Sequence, residues 1–554
     1  MKTKVDKKII VFLIPFILGL VTSFSLPPYN FIFINFITFP LLFSVFINNH
    51  KINKFAAFNI GWFFGFGYFI SNLYWITNSL TFDETFKNLI PFALILIPLF
   101  LGAFYGLITL VSSFFNLKKN ISSILIFVTI FSLIEYLRAI VFGGFPWNLI
   151  VYSWASYLPF LQILSLIGTY SMNLLSLTLF LVPTILFIKK KRNTNIIFLL
   201  FSTFLILVNY FYGLSTISNF EKIRGQNLET TIKIISPKIE INKFYEANST
   251  DLILNDLIKL SDPNKAEKTI FIFPEGVLIG SYLDDLKNYQ DLFKSNFSNK
   301  HKLIIGINST ENYKIYNSMV VLDNQLKILT KYNKNKLVPF GEFLPFENFF
   351  KKIGLKKITQ GYQSFSADDK REILEINQLK FIPLICYEII YSGKINPNKK
   401  YYDFILNISE DGWFGKSIGP AQHLSHSIFR SIEEGKNVIR STNNGVSAFV
   451  NPKGQIIKQI REKGYFVASD LKSQTNLSDK SIERYIKVLL DKGFFYIKKG
   501  KDRRIKRYYP SKDLDKHIRA TWEVRIKQIE TILETPHSKY KEILKFLKED
   551  KYVW

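Results

Sequence analysis

Apolar and polar positions are segregated along this chain. From residue 9 to about residue 216 the sequence runs as long apolar stretches separated by short polar loops; beyond about residue 230 it changes to short β-branched runs alternating with amphipathic, Lys-rich stretches. The apolar stretches lie at about residues 9–26, 31–47, 55–73, 89–115, 122–141, 158–188 and 195–214. Several reach the roughly 20 residues that a helix needs to cross a hydrocarbon layer of about 30 Å. Seven membrane-crossing helices are predicted over residues 1–216. The first ends in VTSFSLPP, which lacks a small-residue cleavage signature, and more spans follow, so it is read as retained.

In the second region TIKIISP, KTIFIFPEG, KLIIGINS, YNSMVVLD, LKFIPLICYE and YDFILNIS have strand character. Between or after them DLILNDLIKL and HLSHSIFRSIEEGKNVI have the spacing of helices. This alternation predicts an α/β domain with helices covering its sheets, over about residues 217–468.

Composition explains how one chain accommodates both regions. Of 554 residues 48% are hydrophobic, with 54 Phe, yet 21% are charged. The formal net charge of +27 suits an anionic lipid or nucleic acid, but Lys abundance in an Ile-, Asn- and Lys-rich chain carries little weight by itself. Its distribution says more. Lys2, Lys4, Lys7 and Lys8, then Lys51 and Lys54, Lys118 and Lys119, and Lys189 to Arg192 fall in alternate loops, whereas the other loops offer only Lys87 beside Asp83 and Glu84. The positive-inside rule then sets the N-terminus in the cytoplasm, and seven crossings put everything after about residue 215 on the far side. One cysteine excludes an intramolecular disulfide.

That cysteine, Cys386, ends the apolar strand FIPLICYEIIY and is followed by Tyr387 and Glu388. On this stretch alone it reads as an inert buried thiol. Glu275 follows the apolar run of KTIFIFPEG, and Lys334 and Glu342 flank the Val338–Pro339–Phe340–Gly341 turn. Singly, Glu275 equally reads as a helix cap, Lys334 as a surface lysine and Glu342 as a solvated carboxylate. Together, a carboxylate, an ammonium and a thiol at three strand ends of one domain supply a base, an electrostatic stabiliser and a nucleophile. In the membrane region Glu135 and Arg138 stand one turn apart in an apolar helix, which reads as a structural ion pair. Gly143, Gly144, Phe145, Pro146 and Trp147 then break that helix, with Trp147 either an interfacial anchor or part of a substrate-facing loop. His423 and His426 lack further metal-type ligands nearby and read as surface or helix-start histidines, so no metal is predicted. No Gly-rich phosphate loop follows a strand, and no cofactor is required.

FPEG, YNKNKLVPFGEFLPFE, CYE, DGWFGKSIGPAQH and RSTNNGVSAFVNPKG resemble the Glu-Lys-Cys enzymes of the nitrilase superfamily, and specifically the apolipoprotein N-acyltransferase family. LYWITNSL and GFPW in the membrane region carry the same resemblance, which spans about residues 1–465. It implies an α-β-β-α sandwich after the membrane helices, with Glu275 as general base, Lys334 as the lysine of the triad and Cys386 as nucleophile. It also implies activity roles for Glu342, Tyr387 and Glu388. Two positions depart from the family: Gly276 follows the glutamate, and Phe244 in IEINKFYE stands where a loop Trp is usual. The implied reaction moves an acyl chain from a phospholipid through a Cys386 thioester to the N-terminal amine of a diacylglyceryl-cysteine apolipoprotein. The implied place is the inner membrane, with the α/β domain on the periplasmic side. Trp413 and Phe414 either help exclude water from the thioester or pack in the core. The alternatives are a membrane-anchored amidase and a membrane-tethered regulator with an inactive sensor domain.

Residues 469–554 depart from the family, which is expected to finish with another membrane helix; they hold no apolar run of the required length. SQTNLSDKSIERYIKVLLDKGFF and YIKKGKDRRIKRYYPS resemble the second half of a MarR-like winged helix-turn-helix. Ser478 would cap the recognition helix, Ile482, Ile486 and Leu489 face its core, and Lys498 to Arg507 form a basic wing. Residues 513–548 have the pattern of amphipathic helices. Nucleic-acid binding by this tail conflicts with a location outside the cytoplasm; a natural fusion, a chimeric or frame-shifted gene, and a basic module binding anionic lipid headgroups are the alternatives, of which the chimera is favoured.

Overall fold

The computed structural model describes residues 8–49, 53–188, 192–222, 230–241, 249–278, 280–345, 364–396, 399–460, 464–467, 495–499 and 506–510. The chain divides into two compact units, Met1–Ala468 and Ser469–Trp554.

All seven apolar runs are helical. They form α1 (Ile14–Thr22, preceded by a π-helical turn at Ile9–Leu13), α2 (Asn35–Asn49), α3 (Lys54–Leu73), α4 (Ile90–Ser112), α5 (Ile121–Arg138), the short α6 (Leu158–Leu161) with α7 (Leu164–Phe180), and α8 (Arg192–Lys222). Among the described residues five helical stretches are long and apolar enough to cross a membrane: Ile32–Asn49, Glu84–Ser112, Ile121–Arg138, Leu164–Phe187 and Asn193–Lys222. The first run is shorter, at Ile9–Ser25. Helix α3 has the length but is diluted by Gly and Asn, because it is the inner helix against which α1 and α4 close. A Cβ on Gly61 would stand 2.1 Å from the Tyr105 carbonyl oxygen, and one on Gly65 2.7 Å from Gly102 Cα. Only glycine permits that backbone approach. The sixth run is broken rather than continuous: α6 and α7 are separate, and α7 kinks at Gly168.

The α/β domain holds two six-stranded sheets. One contains β1 (Thr231–Ser236), β2 (Thr269–Ile272), β3 (His301–Glu311), β4 (Lys314–Leu322), β5 (Ile328–Asn333) and β12 (Gly464–Val467), in the order β12-β1-β2-β3-β4-β5. The other contains β6 (Leu374–Ile376), β7 (Leu379–Ile385), β8 (Phe404–Glu410), β9 (Asn437–Asn443), β10 (Ser447–Val450) and β11 (Ile456–Ile460), in the order β11-β10-β9-β8-β7-β6. Each has three parallel strands at its centre and antiparallel strands outside. The centres read as continuous apolar runs because both faces are covered. The sheets meet at β9, where Ser441 Oγ donates to the carbonyls of Ile235 (3.0 Å) and Ile272 (3.3 Å).

Helices α9 (Ser249–Ser261) and α10 (Gln290–Asn296) cover the first sheet, with Ile253, Leu254, Leu257 and Phe293 in its core. Helix α11 (Gly419–Glu434) covers the second and shares one continuous core with the membrane helices: Phe429 and Ile432 join Leu384, Ile405 and Val438 on one side and Tyr152 and Trp147 on the other. The expected sandwich is present. One predicted element runs too far. HLSHSIFRSIEEGKNVI was expected to be helical throughout, but Gly435 adopts a left-handed cap (φ 62°) that stops α11, and Asn437–Ile439 open β9.

In the second unit the described residues form β13 (Phe495–Lys499) and β14 (Lys506–Pro510), paired antiparallel. Ser478, Ile482, Ile486, Leu489 and residues 513–548 lie outside the described residues.

Candidate active site

Strand polarity collects the chemistry. β2 and β3 run parallel, and β5 reaches the same direction through two antiparallel steps, so the residues that follow β2 and β5 share one edge. Glu275 follows β2 and Lys334 follows β5; both are buried. Lys334 Nζ lies 2.9 Å from Glu342 Oε1 and 3.4 Å from Glu275 Oε1. Asn317 on β4 donates to both carboxylates, at 2.7 Å to Glu275 and 2.8 Å to Glu342. The remaining oxygens are also held: Glu275 Oε2 accepts from the Glu410 N–H (2.9 Å) and Glu342 Oε2 from the Val338 N–H (2.9 Å). Burial works against the Lys334 ammonium, but Glu275 and Glu342 outweigh it and hold its pKa above the ordinary lysine value. Gly276 has φ +65°, a left-handed turn that accounts for glycine after Glu275. On β3, a Cβ at Gly306 would stand 2.6 Å from Glu275 Cα.

Cys386 starts a 3₁₀ turn, Cys386–Ile390, at the end of β7, with a left-handed φ of 51°. A strained elbow of this kind persists only where its surroundings over-determine it. Glu388 supplies much of that constraint. Its Oε2 accepts from the Ile385 N–H (2.8 Å), and its Oε1 accepts from Tyr332 (2.6 Å), Arg371 (2.8 Å) and the N–H groups of Asn335 and Lys336 (both 3.1 Å). One buried carboxylate thus joins the cysteine turn to the lysine turn. Burial pushes the Cys386 thiol well up, the charge of Glu275 adds to this, and Lys334 opposes it.

A second polar shell underlies the elbow. His423 and His426 were expected at the surface or at a helix start; they fall in the first half of α11, and both are fully buried. Helix α11 is amphipathic, but its second face is covered by the membrane loop, which the periodicity of one helix cannot reveal. His423 Nδ1 lies 2.9 Å from Asp411 Oδ1 and 2.9 Å from Arg440, and its Nε2 lies 3.3 Å from the Cys386 carbonyl oxygen. Arg440 also binds both Asp411 oxygens (2.9 and 2.8 Å) and the side-chain oxygen of Asn407. The ring of His426 lies 5.1 Å from Trp147 and 4.4 Å from Tyr152. Asn317, Asn407, Asp411 and Arg440 were not singled out from the sequence. A polar side chain inside an apolar strand, such as Asn407 in FILNIS, is the signal that would have found them.

The elbow is bonded to the membrane region. Tyr387 donates to the Gly144 carbonyl (2.9 Å), and Tyr391 donates to those of Gly143 (3.0 Å) and Gly144 (3.2 Å). That loop is held from below by Arg138, which donates to the carbonyls of Phe145 and Asn148 and pairs with Glu135 at 3.5 Å. Tyr105 and Asn173 satisfy the Glu135 carboxylate at 2.7 and 2.6 Å. Trp147 is neither exposed nor an interfacial anchor: its Nε1 donates to Gln422 (2.9 Å), which also receives Trp75 (3.2 Å). Phe414 packs edge-on against Trp75 and Trp147, at 4.7 and 5.6 Å, and is buried. Trp413 is half-buried with its ring edge-on to Phe82. Phe244 lies outside the described residues.

Residues 18–182 match the Apolipoprotein N-acyltransferase N-terminal domain, and residues 269–471 match the Carbon-nitrogen hydrolase family. Over 465 residues the chain is 30% identical to the apolipoprotein N-acyltransferase of Brucella melitensis, covering 80% of this chain and 86% of that one. The chain belongs to the apolipoprotein N-acyltransferase family. It is 30% identical over 491 residues to the member from Rhizobium rhizogenes, covering 84% and 90% of the two chains. It is 32% identical over 463 residues to the member from Rickettsia prowazekii, covering 80% and 88%. Within the family's two-part plan, the hydrogen bonds from Tyr387 and Tyr391 to Gly143 and Gly144 and those from Trp147 and Trp75 to Gln422 are among the contacts by which the membrane part meets the carbon–nitrogen hydrolase part.

Proposed function

We propose that this membrane protein N-acylates lipoproteins with Glu275, Lys334 and Cys386 as base, oxyanion-stabilising cation and nucleophile, and with a phospholipid as acyl donor. The observation that carries this assignment is the Lys334 ammonium bridging Glu275 and Glu342 beside the buried Cys386 elbow. Glu275 takes the thiol proton, and the sulfur attacks the ester carbonyl of the donor. The oxyanion gathers charge toward Lys334 and the N–H of Tyr387. Collapse expels the glycerol oxygen, which takes the proton back from Glu275 and leaves as lysophospholipid. A thioester remains on Cys386. The α-amine of a diacylglyceryl-cysteine apolipoprotein attacks it, Glu275 accepts the amine proton, and the amide leaves with the thiol restored.

Glu342 holds Lys334, Glu388 holds the elbow, and Tyr387 ties it to the membrane loop. Phe414 and Trp147 pack against His423 of α11, and with Trp413 they would help keep water from the thioester and so favour aminolysis over hydrolysis. The loop charges support a periplasmic α/β domain on the inner membrane, with residues 1–216, 217–468 and 469–554 as membrane, catalytic and tail regions. A lipid-anchored donor and acceptor give a physical reason for bonding the elbow directly to a membrane loop; a small soluble amide gives none.

The test is acyl-enzyme trapping. Membrane-embedded protein incubated with phospholipid carrying a labelled acyl chain is expected to take up hydroxylamine-labile label, and Cys386→Ala and Glu275→Gln are expected to take up none. A folded, inserted parent without label overturns the assignment.

A further inference from the structure

The peptide that joins Cys386 to Tyr387 has two ends, and the structure treats them differently. Its N–H belongs to Tyr387, in the first turn of a 3₁₀ segment, where no preceding carbonyl of the same helix is available to accept it. Its carbonyl, that of Cys386, is approached by two buried side chains: His423 Nε2 at 3.3 Å and Asn407 Nδ2 at 3.4 Å. Both are oriented by one guanidinium, since Arg440 contacts His423 Nδ1 at 2.9 Å and also donates to the Asn407 side-chain oxygen.

The protonation of His423 follows from its partners. Burial, and then the neighbouring Arg440, lower its pKa, so the ring is neutral and carries one N–H. Asp411 already accepts two bonds from Arg440 and one from Ser409 (2.7 Å), so it has little need of a donor from the ring. Nδ1 has both a donor, Arg440, and an acceptor, Asp411 Oδ1, at 2.9 Å and can be satisfied as acceptor or donor, whereas Nε2 faces the Cys386 carbonyl oxygen, which can only accept. The proton therefore sits on Nε2 and points at the Cys386 carbonyl. The other ionisable groups around this ring are Asp411 on the turn after β8, Arg440 on β9, Cys386 on the elbow, and Arg430 and His426 on its own helix.

We propose that His423 is a positioning residue for the oxyanion step: by donating to the Cys386 carbonyl it fixes and polarises the Cys386–Tyr387 peptide, so that the Tyr387 N–H is aimed and strengthened as an oxyanion donor. A hydrogen bond accepted at one end of a peptide increases the donor strength at the other. The same bond restrains the left-handed φ of Cys386, on which the direction of that N–H depends. The inference rests on the acyl-enzyme assignment above.

Cys386 is the only thiol in the chain, which makes the test specific. Two rates are measured on membrane-embedded protein: single-turnover acylation by phospholipid with a labelled acyl chain, and alkylation by iodoacetamide, whose transition state has no oxyanion. In His423→Leu acylation is expected to fall at least about tenfold, the lower end of what losing one such donor costs, while alkylation changes by no more than about twofold. His423→Gln, which can offer an amide N–H to the carbonyl and an oxygen to Arg440, is expected to recover most of the acylation rate. Unchanged acylation in His423→Leu overturns the proposal. So does an equal fall in both rates with no recovery in His423→Gln, which marks a purely structural role. If His423→Leu fails to insert folded, His423→Gln decides: acylation reduced in proportion to alkylation, rather than near the parent rate, overturns it. A parent that alkylates but never acylates overturns the acyl-enzyme assignment itself.

Discussion

The hydroxyl of Tyr387 donates to the carbonyl of Gly144 at 2.9 Å, so the residue after the candidate nucleophile is bonded to a loop between two membrane helices. The same carbonyl accepts from Tyr391 at 3.2 Å. The elbow is thereby held at a fixed place relative to the membrane helices.

Removing one of these hydroxyls leaves the other on Gly144. Tyr387→Phe is expected to cost about 0.5–1.5 kcal/mol of stability, the usual net value of a buried hydrogen bond. Tyr387→Phe with Tyr391→Phe strips the acceptor completely, and the two changes are expected to be non-additive because they share it. Thermal unfolding of the single and double variants in detergent checks this; strict additivity would show that the shared carbonyl does not couple them.

The charges around the thiol predict opposite shifts. Burial raises the Cys386 pKa first, Glu275 raises it further, and Lys334 lowers it. Glu275→Gln is therefore expected to move the alkaline midpoint of iodoacetamide alkylation down, and Lys334→Met to move it up. Both variants are nonetheless expected to lose acyl transfer, because one lacks the proposed base and the other the proposed oxyanion-stabilising cation. A parent thiol already fully reactive at neutral pH, with a plateau there, would contradict this ordering.

Asp411 and Arg440 form a fully buried ion pair at 2.8 Å. Burial opposes the Asp411 charge, but Arg440, with a hydrogen bond from Ser409, outweighs it and holds the carboxyl well below its usual range. Its contribution to stability is thus present above the unfolded-state value of about 4 and is lost only as pH falls through the lower folded value. Arg440→Met leaves the buried carboxylate without its cation, with an expected loss of about 3–5 kcal/mol. Denaturant unfolding at pH 7 measures it, and Asp411→Asn combined with Arg440→Met is expected to recover part of the loss.

Gly306 lies against Glu275, the proposed base. A methyl group there would stand 2.6 Å from Glu275 Cα and 2.9 Å from the Pro274 carbonyl oxygen, both backbone atoms that cannot simply rotate away. Gly306→Ala is expected to cost about 1–3 kcal/mol and to displace Glu275. Acyl-enzyme formation is expected to fall more than the stability change explains, which single-turnover labelling of the folded fraction checks.

The sequence by itself determined the two-part plan, because hydrophobic runs of membrane length and short strands of β-branched residues are local signals set by the solvent each element meets. It also pointed to Glu275, Lys334, Glu342 and Cys386 as a candidate cluster, since strand ends are legible from turn chemistry and the surrounding motifs resemble one family; the structure brings Lys334 to Glu275 and Glu342. What the tertiary structure decided lay between elements. Gly435 ended α11 earlier than its periodicity suggested. Trp147, His423 and His426 were placed in the interior rather than at surfaces, because the membrane loop and α11 cover each other. Asn317, Asp411, Asn407 and Arg440 acquired roles only when β4, β8 and β9 were brought together with the turns that follow them. A side chain's pattern along the chain records whether it is buried, whereas its partner is fixed by strand register and by the packing of elements far apart in sequence.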